Sequence, residues 1–139
     1  MKLQNSVWAR LRPLSMAALT TLALLGGPAQ AQAQDEQAPL LNGCSSYVDR
    51  TADDADRTLN WTYGIDSDPE RCIKIKVGQT VTFEGNLNTH PIDAQGGDAS
   101  NPFTGAESST PTFTFTRAGI FGFVCVYHEE MQGAVWVVD

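Results

Sequence analysis

From Leu59 onward, apolar residues fall at alternate positions in short runs: Leu59-Trp61-Tyr63, Ile73-Ile75-Val77, Val81-Phe83, Phe113-Phe115 and Val135-Val137, with a denser run from Ile120 to Val126. A two-residue period puts successive side chains on opposite faces of a strand, and no stretch here carries a helical period of useful length. Gly, Pro, Asn and Asp interrupt the runs at 64–69, Gly78, 85–88, Gly96-Gly97 and Gly119, where the chain must turn. Short strands at this spacing predict an all-β fold, an antiparallel Greek-key β-sandwich forming a single domain over 44–139. The one ambiguous stretch is 45–56, where Thr51-Ala52-Asp53-Asp54 could cap a short helix.

The preceding residues read differently. Lys2, Arg10 and Arg12 stand before an apolar run from Leu14 to Leu25, followed by Gly26-Gly27-Pro28 and Ala29-Gln30-Ala31. This is the order of a secretory signal over 1–31, cleaved after Ala31 or, one frame later, after Ala33. The apolar run falls short of the roughly 20 residues that span a bilayer. A Leu-x-Gly-Cys string at Leu41 to Cys44 imitates a lipoprotein box, but Asp35 and Glu36 separate it from the apolar run. Residues 32–43, rich in Gln and Ala with Pro39, read as a flexible linker. The expected mature chain is an exported, soluble monomer, periplasmic or extracellular, with no membrane insertion after cleavage.

Charge and count narrow the function. Beyond the signal, six basic residues (Arg50, Arg57, Arg71, Lys74, Lys76, Arg117) face sixteen acids, a net charge of −10. That balance argues against nucleic acid or anionic lipid as a partner and is compatible with a basic protein. A domain of about 95 residues is too small for a two-domain enzyme or a Rossmann-type fold. With only His90 and His128 available, neither a multi-histidine metal enzyme nor a Ser-His-Asp set can be assembled, so no enzyme is expected.

Three cysteines in an exported chain allow three pairings and leave one thiol over. A Cys44–Cys72 bridge would staple the N-terminal segment to a strand, adding roughly 3 kcal/mol. A Cys72–Cys125 bridge would be a sandwich-core disulfide. Cysteine arithmetic alone leaves these open.

Cys125-Val126-Tyr127-His128-Glu129-Glu130-Met131 places a thiol, an imidazole and a thioether within seven residues, between two predicted strands. His90, after Asn86-Leu87-Asn88-Thr89, supplies a second imidazole from the end of another predicted hairpin. Two imidazoles, a thiolate and a weak thioether are the donor set of blue copper. Soft sulfur favours Cu(I), imidazole suits both oxidation states, and a compromise geometry reduces rearrangement when an electron moves. Taken singly, each residue has a plainer reading: a turn histidine, a core methionine, an inert buried thiol. Zinc fingers would need more Cys or His, and c-type haem needs Cys-x-x-Cys-His.

The order of these stretches resembles the cupredoxins, in particular the plastocyanin and amicyanin group, over roughly 73–139. The resemblance is carried by Lys76-Val-Gly-Gln-Thr-Val-Thr-Phe83, by His90, and by the run from Phe113 through Gly119-Ile-Phe-Gly-Phe-Val-Cys125 to Val137, with Cys-x-x-His-x-x-Met spacing. It implies His90, Cys125, His128 and Met131 as ligands of one type 1 copper ion. It also implies single-electron transfer with a redox partner such as a cytochrome or dehydrogenase, the electron leaving near His128. Two positions depart from the pattern. Pro91 replaces the Asn that usually follows the upstream histidine and ties the ligand loops together, and Tyr127 replaces a frequent Pro. Glu129 and Glu130 read as solvated loop-tip carboxylates, or as charges that stabilise Cu(II) and attract a basic partner. Trp61, Trp136, Phe113 and Phe115 read as core aromatics, and Asn60-Trp61-Thr62 is a glycosylation sequon by letter only. A copper carrier or buffer without an electron-transfer role, and a redox-silent binding module, are the alternatives.

Overall fold

The computed structural model of the chain describes residues 37–105 and 112–139; the expected signal segment lies outside them. Among the described residues the strands are β1 Val48–Asp49, β2 Thr58–Trp61, β3 Cys72–Lys76, β4 Thr80–Gly85, β5 Ile92–Gly97, β6 Thr112–Thr114, β7 Gly119–Cys125 and β8 His128–Val138. They form a five-stranded sheet in the order β1-β3-β8-β7-β5 and a three-stranded sheet in the order β2-β4-β6. From β1 to β7, successive strands belong alternately to one sheet and the other.

The expected sandwich is present, but the expectation of antiparallel pairing holds for only part of it. β4/β6, β5/β7 and β7/β8 are antiparallel, whereas β1/β3, β2/β4 and β3/β8 are parallel, so both sheets are mixed. The reason lies in the connections. A strand that leaves one sheet, runs through the other and returns can lie parallel to its neighbour, which a tight hairpin forbids. The 51–54 stretch forms a turn, with the Ala55 amide donating to the Ala52 carbonyl at 3.1 Å, and no helix is capped there. Two short 3-10 turns appear instead at Ile65–Ser67 and Pro69–Arg71.

The alternating apolar residues meet between the sheets. Leu59, Trp61, Ile73, Ile75, Val81, Phe83, Phe113, Phe115, Phe121, Phe123, Val135 and Val137 share one buried cluster. Phe83 is its hub, edge-on to Trp61, Phe103, Phe113 and Phe123 at centroid distances of 5.5, 5.7, 5.6 and 5.0 Å. Such T-shaped contacts add about 0.5–1.5 kcal/mol per pair beyond the area buried. Trp136 is buried too, but outside this cluster: Tyr47 meets it edge-on at 5.6 Å and the Lys74 ammonium lies 4.5 Å over its ring.

A second, smaller cluster contains Cys44, Cys72 and Ala134, with Leu41, Tyr47 and Ile120 packed against it. Cys44 and Cys72 are bonded to each other across 28 residues of sequence, which settles the pairing and leaves Cys125 free. The end of the expected linker is held down by polar contacts. The Asn42 side-chain amide donates to the carbonyls of Gln95 and Gly133, each at 3.0 Å, and the Arg71 guanidinium donates to the Asn42 and Gln132 carbonyls at 2.7 and 2.9 Å. Gly122 makes room for this amide, since a Cβ there would lie 2.6 Å from it.

Candidate metal centre

The β7–β8 connection consists of Val126 and Tyr127 alone, so Cys125 ends one strand and His128 starts the next. The two are cross-strand partners, with a register irregularity at Val124/Cys125 that lets β8 carry extra residues between His128 and Gln132. That irregularity re-aims side chains at the strand end, as bulges do. Cys125 is 1 % exposed and Met131 is fully buried, while Val126, Tyr127, Glu129 and Glu130 are exposed.

His90 arrives differently from the sequence expectation. It does not close a hairpin, because β4 and β5 belong to different sheets; it sits on the 86–91 crossover between them. Asn86 shapes this crossover. Its side-chain oxygen accepts from the Asn88 and Thr89 amides at 3.1 and 3.3 Å, and its carbonyl accepts from the His90 amide at 3.0 Å. Leu87 anchors the turn in the core at 7 % exposure. The Trp61 indole N–H donates to the His90 carbonyl at 2.7 Å.

The result is a convergence of three donors. The Nδ1 atoms of His90 and His128 are 3.1 Å apart, and Cys125 Sγ lies 3.7 Å from the first and 3.4 Å from the second. A first-row ion about 2.0–2.1 Å from nitrogen and about 2.3 Å from sulfur spaces its donors by about 3.3–3.8 Å, close to these values. The donor types and their spacing therefore fit a copper ion shared by all three. Met131, the fourth predicted ligand, lies on the same strand as His128, buried within the main core cluster.

Pro91 cannot supply a backbone N–H or an amide side chain. The segments that carry His90 and Cys125 are nevertheless tied through it, because its carbonyl accepts the Val126 amide at 2.9 Å, beside the Ile92–Cys125 pairing of β5 and β7. Residues missed in the sequence complete the surroundings. Tyr63 meets the His128 ring edge-on at 5.5 Å, and the two imidazoles lie 4.8 Å apart. Hydrogen bonding with Glu130 raises the Tyr63 phenol above its ordinary pKa, and the same interaction lowers that of the Glu130 carboxyl. Period two alone put Tyr63 on the Trp61 face; the signal that could have flagged it is Gly64, where the strand must end.

No protein-family model and no curated protein sequence matches the chain. Solved structures do resemble it. A purple cupredoxin from Nitrosopumilus maritimus is 21% identical, with 60% of this chain and 100% of that one covered at a TM-score of 0.43. A copper-containing nitrite reductase from Thermus scotoductus SA-01 is 22% identical at a TM-score of 0.42, over 50% of this chain and 20% of that one. The Cu(I) form of an amicyanin mutant is 18% identical at 0.33, over 75% and 95%. The likenesses are partial, so the fold assignment rests on the two sheets. The protein is a small β-sandwich whose His90–Cys125–His128 cluster fits the donor set of a type 1 copper site. The first of these neighbours carries the name of the family that the motif order resembles.

Proposed function

We propose that this chain is a small blue-copper protein that carries single electrons between redox partners, holding one copper ion with His90, Cys125, His128 and Met131. The observation that carries the reading is the meeting of two imidazole nitrogens and one unbridged thiol within 4.8 Å of one another. Copper would supply a one-electron couple between Cu(I) and Cu(II). The chain's part is to hold the donors still: Cys125 and His128 sit on paired strands, and His90 is fixed through its carbonyl by Trp61. Burial of the thiol keeps water from the sulfur. These features suit outer-sphere transfer, which requires no substrate pocket, and the protein is a carrier with no catalytic residues.

The partner is a basic redox protein such as a cytochrome or a dehydrogenase. The acid excess and the exposed Glu129 and Glu130 beside His128 support it, acting on encounter rate and orientation more than on affinity. Residues 1–31 direct export to a periplasmic or extracellular location, where the chain works as a monomer. The Cys44–Cys72 bridge suits an oxidising compartment, and among the described residues no helix is long and apolar enough to cross a membrane.

Visible and paramagnetic-resonance spectroscopy of the Cu(II)-loaded protein tests the reading. An intense visible band, bleached by mild reductant and absent in Cys125→Ser, is the expected result. Tight Cu(I) binding without a coloured Cu(II) form would make the protein a copper buffer instead, and no copper uptake would end the proposal.

A further inference from the structure

Trp61 and Tyr63 are two residues apart, yet they have opposite fates. Trp61 is 1 % exposed and wedged edge-on against Phe83 and Phe123, at 5.5 and 5.7 Å. Tyr63 is 64% exposed, and the one aromatic neighbour described for it is the His128 imidazole, at 5.5 Å and 82°. An exposed tyrosine contributes little to a core, so its fixed placement calls for another reason. That placement is enforced from both sides. Upstream stands the immobile Trp61. Downstream, Gly64 adopts φ 94, a conformation that side-chain-bearing residues rarely hold, and turns the chain back to Ile65, which is 3% exposed. The Ile65 amide donates to the Thr62 carbonyl at 3.2 Å and closes the turn.

The segment thus touches both imidazole-bearing residues: the Trp61 indole holds the His90 carbonyl, and the Tyr63 ring abuts the face or edge of His128. We infer that Trp61-Thr62-Tyr63 is a bracket that sets the two imidazoles relative to each other, with Tyr63 the positioning residue for His128. The inference rests on the reading of His128 as a metal ligand. His128 needs such support. It is the first residue of β8, flanked by exposed Tyr127 and Glu129, and rotation of its ring would carry Nδ1 away from Cys125. Outer contacts of this kind orient metal-binding imidazoles and tune the metal they hold. They come here from the end of β2 in the other sheet and from the turn that follows it.

The full chain carrying Tyr63→Ala or Tyr63→Phe tests the bracket, first without metal. In Tyr63→Ala, the NMR signals of the His128 ring are expected to move while those of His90 stay in place. Tyr63→Phe, which keeps the ring and loses only the hydroxyl bonded to Glu130, should move the His128 signals much less than Tyr63→Ala does. With copper bound, Tyr63→Ala should shift the visible band and release Cu(II) to a chelator about two- to tenfold faster, the range expected from loss of one aromatic ring contact. Tyr63→Phe should bring release most of the way back to the parental rate. Parental His128 signals, spectrum and release rate in Tyr63→Ala would overturn the bracket. So would a fall in metal-free melting temperature with an unchanged copper spectrum, because Tyr63 would then be only structural. If the parent itself takes up no copper while Tyr63→Ala still moves the His128 signals, the copper reading falls and the ring contact stands supported.

Discussion

Two regions of the five-stranded sheet use buried sulfur in different ways. Where β3 begins, Cys72 is bonded to Cys44; where β7 ends, Cys125 stays a free thiol facing two imidazoles. Exposure does not separate them, since Cys44, Cys72 and Cys125 are 2 %, 6 % and 1 % exposed. Their surroundings do. Cys44 stands in a segment whose apolar side chains join the smaller cluster, outside the main core, and a covalent tie there restricts the unfolded chain. Cys125 stands at a strand end already fixed by its pairing with both Ile92 and His128, where a tie would add little and a free sulfur can serve a metal. One region secures the fold, and the other uses a fold already secured.

Cys125→Ser gives the sharpest way to break this contrast. The visible Cu(II) band should vanish entirely, while urea unfolding of the metal-free protein shifts by no more than about 1–2 kcal/mol. The reciprocal change, Cys44→Ala with Cys72→Ala, should lower unfolding free energy by about 3–4 kcal/mol, given the 28-residue separation, and leave the copper spectrum as it was. A bleached spectrum in that double variant would show that the two regions are not independent.

Next in size is Asn42→Ala. It strips the side-chain donors from the Gln95 and Gly133 carbonyls and should cost about 1–3 kcal/mol in denaturant melts without touching the colour. The smallest effect is one of pH. Burial pushes the Tyr47 phenol up to about 12, and its hydroxyl donates to the Pro39 carbonyl at 3.0 Å. The folded state holds the proton more tightly than the unfolded chain, so this contribution is complete below the unfolded value near pH 10 and is lost as pH climbs toward 12. Stability measured across that window should fall less steeply in Tyr47→Phe than in the parent.

The same contrast explains what could be read from the residues. The β7–β8 hairpin drew notice because its donors are local: a thiol and an imidazole three positions apart, which the structure brings together with His90. The strands with clean alternation, such as β3 and β4, were legible too. β5 was not. Its residues Asp93, Gln95, Gly96 and Gly97 show no alternation, and it is a strand because β7 offers it partners and because the two glycines, at φ 72 and 85, take up a register shift. Strand direction was hidden as well, since a period of two specifies the face of a side chain and says nothing about the polarity of the neighbouring strand. The Asn42 contacts were beyond reach for a similar reason: its amide meets residues 53 and 91 positions away, and no local pattern marks a single polar side chain for such a role. Tyr63 was misplaced because the period of Leu59 and Trp61 was carried one step past the turn that ends it.

β8 lies in the middle of the larger sheet, with β3 on one side and β7 on the other, although it is the final strand of this chain. A polypeptide emerging in order from a narrow channel therefore offers β3 some fifty residues before the strand that joins it to β7 exists, whereas β7 precedes that strand by two residues. Until residues 128–138 are free, two edges with unpaired amides wait in solution, and two of the proposed copper ligands are missing. The β7/β8 hairpin can form locally, but the β3/β8 pairing joins residues distant in sequence, a kind of contact that is slow to form. Losing even a few residues near Val138 should loosen the sheet at its centre, at the end of β8 opposite His128.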